Sequence, residues 1–476
     1  MDVAFLFLLI VGLMLIGVPI AVSLGLSSIL FLLLFSDTSL ASIAQQLFNA
    51  FAGHYTLLAI PFFILASTFM STGGVADRII RFAIASVGHF KGGLAIASVF
   101  ACMLFAALSG SSPATVVAIG SICIAGMRKM GYTKDFAAGV ICNAGTLGIL
   151  IPPSIVMVVY AAAVDVSVGR LFLAGVIPGL LAGAMLMVGI YVAARWKGLP
   201  SQPFAGWGEI FAAAREAGWG LFLIVIILGG IYGGIFTPTE AAAVAAVYAF
   251  IVANFIYRDM GPLCDRSEAD AAEPDGARSL SAAAVTQRKH SLLTRPWALI
   301  TVFFHRDTKQ ALFESGKVTI MLMFIIANAL ILKHVLTDEQ VPQAITAALL
   351  DAGFGPVMFL IIVNVILLIG GQFMEPSGLI VIVAPLVFPI AMELGINPIH
   401  LGIIMVVNME IGMITPPVGL NLFVTSSVAS MPMTQVVRAA LPWLGILVIF
   451  LIIVTYVPFI STWLPTTFMG PELIIK

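Results

Sequence analysis

The sequence is short of charge. Asp, Glu, Lys and Arg make up 9% of its 476 residues, against 61% hydrophobic ones. A soluble domain carries about 25% charged residues, because water must wet its surface. With a mean hydropathy of +1.12 this chain cannot cover itself in water. A bilayer must supply the apolar solvent, and most of the length is expected to be membrane-spanning helix in contact with lipid. The formal net charge of −1 gives no sign of a nucleic-acid partner, and none is expected. Four cysteines, Cys102, Cys123, Cys142 and Cys264, are too few and too scattered for a disulfide framework. The apolar N-terminus, Met1 to Leu34, lacks the positive region that opens a signal peptide and reads as retained membrane helix. The sequence has no Walker-type phosphate loop, no His-Glu-x-x-His helix and no Gly-x-Ser-x-Gly elbow. The chain is therefore not its own ATP-driven pump, and neither an enzyme nor a cofactor is expected.

What is present is apolar, and irregular. Runs fall at about 3–16, 18–35, 57–72, 92–108, 114–127, 136–163, 171–194, 219–236, 238–257, 318–336, 355–370, 378–392, 399–428 and 439–463. Several are too short, or too broken by Gly and Pro, to be simple spans. Non-helical backbone survives at membrane depth only where protein buries it or where it lines a cavity. The one long polar stretch, about 258–297, is rich in Ala, Ser and charge and reads as a solvated linker.

Two halves, Val3 to Trp196 and Gly218 to Leu464, repeat one another. Ser109-Gly110-Ser111-Ser112-Pro113 answers to Gln372-Phe373-Met374-Glu375-Pro376, and Lys129-Met130-Gly131 to Glu393-Leu394-Gly395. Asn143 followed by Pro152-Pro153 answers to Asn408 followed by Pro416-Pro417, and Ile177-Pro178 to Leu441-Pro442. The offset stays between 263 and 265 residues throughout, which chance matches of common residues would not do. Arg78, Arg81, Lys91, Arg128, Lys129 and Lys134 flank the first tip on both sides. If 92–108 and 114–127 enter and return, all six lie on the cytoplasmic face. The outward segments carry Asp37, Asp165, Asp338, Glu339, Asp351 and Glu393 against Arg170 and Lys333, so the second hairpin, about 355–392, enters from outside. The halves are thus inverted, with both termini outside. The expected fold class is an all-α polytopic membrane protein of two inverted repeats, with re-entrant helical hairpins and broken helices.

Each half contributes a hairpin tip, at 109–115 or 371–378, and a helix broken at 145–154 or 410–419. Inverted repeats with paired broken helices are the mark of secondary transporters. An interrupted helix bares N–H groups that suit an anion at one end and carbonyls that suit a dehydrated cation at the other. Pro152-Pro153 and Pro416-Pro417 would hold the breaks open by removing donors. Ser109, Ser111, Ser112 and Thr115 are paired with Asn143, Gly145 and Thr146 as a first Na⁺ site. Gly370, Gly371, Ser377 and Gly378 are paired with Asn408, Gly412 and Thr415 as a second. The alternative is that these hydroxyls merely bond back to their own helices. Three carboxylates, Glu240, Glu375 and Glu410, are expected at membrane depth, where an acid is expensive and functional by default. Glu375 and Glu410 could each bind a cation or take a proton, whereas Glu240 could instead be a first-turn helix charge. Ser112, Pro153, Glu375, Glu410 and Pro417 are the candidates for substrate contact or coupling.

The motifs resemble one family. Gly-Val-Pro-Ile-Ala-Val-Ser-Leu-Gly at 17–25, Ala-Ile-Pro-Phe-Phe-Ile-Leu-Ala at 59–66, Ser-Gly-Ser-Ser-Pro-Ala-Thr at 109–115, and Pro-Thr-Glu-Ala-Ala-Ala at 238–243 all carry it. So, most specifically, does Asn-Met-Glu-Ile-Gly-Met-Ile-Thr-Pro-Pro-Val-Gly-Leu-Asn at 408–421. They resemble the large membrane subunit of tripartite ATP-independent periplasmic (TRAP) transporters, and the resemblance covers nearly the whole chain. It implies a multi-pass protein of the bacterial inner membrane, working with a small membrane subunit of about four helices and a soluble periplasmic substrate-binding protein. It further implies Na⁺-driven uptake of an organic anion, such as a C4-dicarboxylate, by an elevator-type motion. The moving part would be 92–165 plus 355–430, carrying one hairpin and one broken helix from each half. Segments 1–91, 166–257, 301–354 and 431–476 would be scaffold and arm helices, and 258–300 a cytoplasmic insert longer than the family leads one to expect. The family pattern often has Asp before the Pro of the second tip, where this chain has Glu375. A stand-alone antiporter of related architecture, and an intramembrane enzyme using Glu375 or Glu410 as acid or base, are the competing readings.

Overall fold

The computed structural model describes residues 2–35, 41, 44, 45, 48, 55–72, 74–265, 288, 289, 295, 297–351 and 353–472. Most of the 258–300 insert lies outside the described residues. Among those described, the chain is helical apart from one two-residue antiparallel ladder, Cys264–Asp265 with Arg288–Lys289. Apolar side chains such as Leu8, Trp196, Phe211, Val247, Ile320 and Ile449 are exposed on the outer helices. A surface of that kind suits lipid and not water.

The halves match helix for helix. Asp2–Leu15 corresponds to Trp207–Tyr232, and Ile20–Phe35 to Pro238–Ile256. A two-helix arm follows in each: Ala59–Thr72 with Val75–Val87, and Arg306–Asp338 with Val341–Asp351. In the first arm the bend is 69°. Next comes a hairpin, Gly93–Ser109 with Ser112–Lys129 or Pro356–Gly371 with Pro376–Glu393. A broken helix follows, Lys134–Ala144 with Ile155–Val164 or Pro398–Gly412 with Leu420–Ala429, and then a long helix, Val168–Lys197 or Met433–Tyr456. Among the described residues six helices, or seven if the bent first arm is one span, are long and apolar enough to cross a membrane, and the two halves are inverted repeats.

Packing between the halves is reciprocal. Ile20–Phe35 lies against the second arm, Arg306–Asp338, while Pro238–Ile251 lies against the first, Ala59–Thr72. Ile155–Val164 packs on the second hairpin and Leu420–Ala429 on the first. Hairpins and broken helices form the buried centre: every residue of Pro398–Gly412 is buried. The halves of the broken helices are 10 to 15 residues long, which at 1.5 Å per residue is roughly 15–22 Å, short of the ~30 Å apolar core.

Two helices begin well before the apolar runs that announce them. The run at 219–236 starts as a helix at Trp207, and the run at 318–336 at Arg306. In the first case polar residues are held in the helix by ion pairs. Arg81 bonds Glu209 from Nε at 2.9 Å and Glu216 from Nη1 at 2.6 Å. At the edges of the insert, Met260, Leu263 and Ala298 are buried, and Asp259 pairs with Arg78 at 2.5 Å.

Candidate functional site

The first tip is short because Gly110 takes a left-handed conformation (φ 57°), closing one arm, while Ser111 opens the next in extended conformation with Pro113 in its first turn. Ser109, Ser112 and Thr115 are buried there. Tip and break meet at Ser112, whose hydroxyl donates to the Gly145 carbonyl at 2.8 Å. Gly148 lies so near the tip that a Cβ on it would stand 2.9 Å from the Ser111 oxygen. Ser109 and Thr115 share a bond of 3.0 Å, and Thr115 donates to the Ser111 carbonyl at 2.9 Å. Thr146 donates to the Asn143 carbonyl at 2.7 Å. The structure therefore brings Ser109, Ser111, Ser112, Thr115, Asn143, Gly145 and Thr146 into one linked region.

The first break is a 3₁₀ turn, Gly145–Ile149, followed by non-helical backbone to Ser154, which caps Ile155–Val164 by accepting from Met157 N. The Pro152–Pro153 and Pro416–Pro417 bonds are both cis. Their rings remove donors and so end the helical ladder. The second break runs over 413–419. Glu410 therefore stands in the last turn of Pro398–Gly412, not in the break itself.

At the second tip the contact is backbone on backbone. A Cβ on Gly412 would lie 2.8 Å from Gly371 Cα, and Gly419 N donates to the Gln372 carbonyl at 3.0 Å. Asn408 stands one turn below Gly412 and donates to Asn364 Oδ1 at 2.6 Å. Thr415 bonds back to the Ile411 carbonyl at 2.7 Å. Gly370 is backed by Leu379. Ser377, buried, donates to Glu375, and Glu375 also accepts from Gly378 N at 3.2 Å, so the acid caps Pro376–Glu393.

Thr115, Thr146 and Thr415 give their hydrogens to nearby backbone, which leaves acceptor lone pairs on their oxygens. The asparagines behave alike. Asn143, Asn408 and Asn421 each donate from Nδ2 and leave a buried Oδ1 without a partner. Neither oxygen of the buried Glu410 has a hydrogen-bond partner. Thr146 faces that carboxyl, but its hydrogen is already given to Asn143. A centre of buried, unpaired acceptors costs on the order of 1–3 kcal/mol per group until something positive fills it.

Glu240 is a first-turn helix charge. It is exposed and closes a capping box: its Oε2 accepts from Thr237 N at 2.8 Å, while Thr237 Oγ1 accepts from Glu240 N at 3.3 Å. Sequence reasoning missed Asn421, which donates to Ser112 Oγ at 2.8 Å from the other half of the chain. Its only signal was its place as the last residue of the 408–421 motif.

The family model for the tripartite ATP-independent periplasmic transporter, DctM component, matches residues 7–460. The chain belongs to that family. It is therefore the large permease component of a three-part transport system and a multi-pass protein of the bacterial inner membrane. It is 72% identical over 476 residues, all of both chains, to the C4-dicarboxylate TRAP transporter large permease protein DctM of Vibrio cholerae. It is 61% identical to the protein of the same name from Pseudomonas aeruginosa, over 98% of this chain and 99% of that one. Among solved structures, the YdaH transporter of Alcanivorax borkumensis matches 88% of this TRAP permease and 89% of its own chain, with a TM-score of 0.52 and 15% identity. That likeness is one of fold.

Proposed function

We propose that this permease takes up an organic anion, a C4-dicarboxylate or a close carboxylate, in symport with Na⁺. The anion is delivered by a periplasmic binding protein, a small four-helix membrane subunit completes the complex, and the hairpin body slides between the two sides as an elevator. One observation carries the ion assignment: Asn143, Asn408 and Glu410 leave buried oxygens unpaired beside the tips and breaks. Acceptors without donors are what a dehydrated Na⁺ requires.

The anion needs a different end of the helix. Second hairpin arms begin at Ser112 and Pro376, and second half-helices at Ile155 and Leu420. Each of these N-termini carries partial positive charge near the tips. No Arg or Lys lies at 109–115 or 371–378, so a carboxylate would be held by these ends, by hydroxyls and by the bound cation. Substrate binding then depends on ion binding, which is the basis of coupling. The names of the relatives favour a dicarboxylate. In proteoliposomes containing the complete complex and loaded binding protein, uptake is expected to collapse when Na⁺ is replaced by choline. Uptake that continues at full rate would refute the reading.

A further inference from the structure

The second break, 413–419, is bracketed by two side chains that reach the first cation cluster instead of their own. Before the break, Glu410 faces Thr146. After it, Asn421 donates to Ser112 Oγ at 2.8 Å across 309 residues of sequence, and Ser112 passes its own hydrogen to the Gly145 carbonyl at 2.8 Å. Asn421 is tied to the break by its backbone as well, since its N–H donates to the Met413 carbonyl at 3.0 Å. The break is tied in turn to the second tip through Gly419 N and the Gln372 carbonyl, also 3.0 Å. These hydrogen bonds, joined through the backbone of 419–421, thus lead from the second tip, through the second break, to the oxygen of the first tip.

The link has no mirror image. At the repeat offset Asn421 corresponds to Met157, which packs its methyl against Gly175 and has no amide to offer. The second half reaches into the first site by this route, and the first does not reach back in the same way.

The geometry points to Asn421 as a positioning residue through which the second cation site sets up the first. This rests on the Na⁺ reading above. An ion that orders 413–419 fixes where Asn421 stands. Asn421 then holds the Ser112 oxygen in place beside Gly145. Occupancy of one site raises the affinity of the other, and by linkage the effect is mutual.

The test is the Na⁺ dependence of uptake in proteoliposomes carrying the complete complex, with the binding protein saturated by succinate. The wild type is expected to give a sigmoidal curve, its Hill coefficient between about 1 and the number of sites. Asn421→Ala should bring the coefficient to about 1 and raise half-saturating Na⁺ about five-fold, the size expected of one lost hydrogen bond. The maximal rate at saturating Na⁺ should stay within about two-fold, which distinguishes a lost coupling from a damaged fold. Thr425→Val, one turn further along the same helix and equally buried, should leave the coefficient alone. If Asn421→Ala fails to assemble, Asn421→Leu keeps about the size, removes the Nδ2 donor without adding charge and is read in the same way. A wild type that ignores Na⁺ would overturn the reading beneath this one. A Na⁺-dependent wild type whose Hill coefficient survives loss of the Asn421 donor overturns the coupling alone, as does an equal fall in Thr425→Val.

Discussion

Gly412→Ala is the sharpest probe of how the second tip meets its broken helix. The added Cβ would stand 2.8 Å from Gly371 Cα, 2.9 Å from its carbonyl carbon and 3.2 Å from its oxygen. Carbon atoms in good contact keep about 3.5 Å or more apart, so the two backbones must separate by roughly 0.7 Å. No side-chain rotation relieves the clash, because all three atoms are main chain. Overpacking of this kind costs about 1–3 kcal/mol. If that energy falls on the ion-bound state, half-saturating Na⁺ should rise roughly 5- to 150-fold. The assay is Na⁺-titrated uptake in proteoliposomes, normalised to the amount of assembled complex. Gly371→Ala should act in the same direction but less strongly, since its nearest atom, Gly412 Cα, is 3.2 Å away. Gly316→Ala is the control: nothing lies within 4 Å of its Cβ, and a helix-interior alanine should be neutral or stabilise by up to about 1 kcal/mol. Wild-type Na⁺ dependence in well-assembled Gly412→Ala would show that the second tip and the second broken helix do not touch as described.

Ser112→Ala and Thr415→Ala should each weaken the Na⁺ dependence of transport, because each removes an acceptor oxygen at a tip or break; if neither moves the titration, the ligand assignment is wrong. Glu240→Ala should instead lower thermal stability through loss of the capping box, while half-saturating Na⁺ stays put. A shift in Na⁺ affinity would return Glu240 to the ion path.

Much of this architecture can be read from the sequence because the transport centre is punctuated by Gly and Pro. Breaks in a membrane helix need residues that cannot continue it, so Pro152-Pro153 and Pro416-Pro417 betray the breaks, and the constant offset betrays the repeat. The tips are legible for a similar reason, through Gly110 and the Pro that follows each turn. Hydropathy misplaces what depends on tertiary partners. The helix from Trp207 to the apolar run is polar and becomes legible only once Arg81 is known to lie beside Glu209 and Glu216. Glu240 reads as a buried acid by its apolar surroundings in sequence, although Thr237 three residues earlier carries the signature of a cap. Asn421 could not be assigned at all, since its partner lies 309 residues away and no local period points to Ser112.

The exchange of partners between Ile20–Phe35 and the second arm, and between Pro238–Ile251 and the first, has a consequence for biogenesis. Synthesis proceeds from the N-terminus, so Ile20–Phe35 must wait in the bilayer until the ribosome has delivered the helix that ends at Asp338. The early half cannot mature into a finished unit and then receive the late half as a lodger. Assembly of the two is one event, late in translation, and the newborn chain has to be sheltered by lipid or insertion machinery until then.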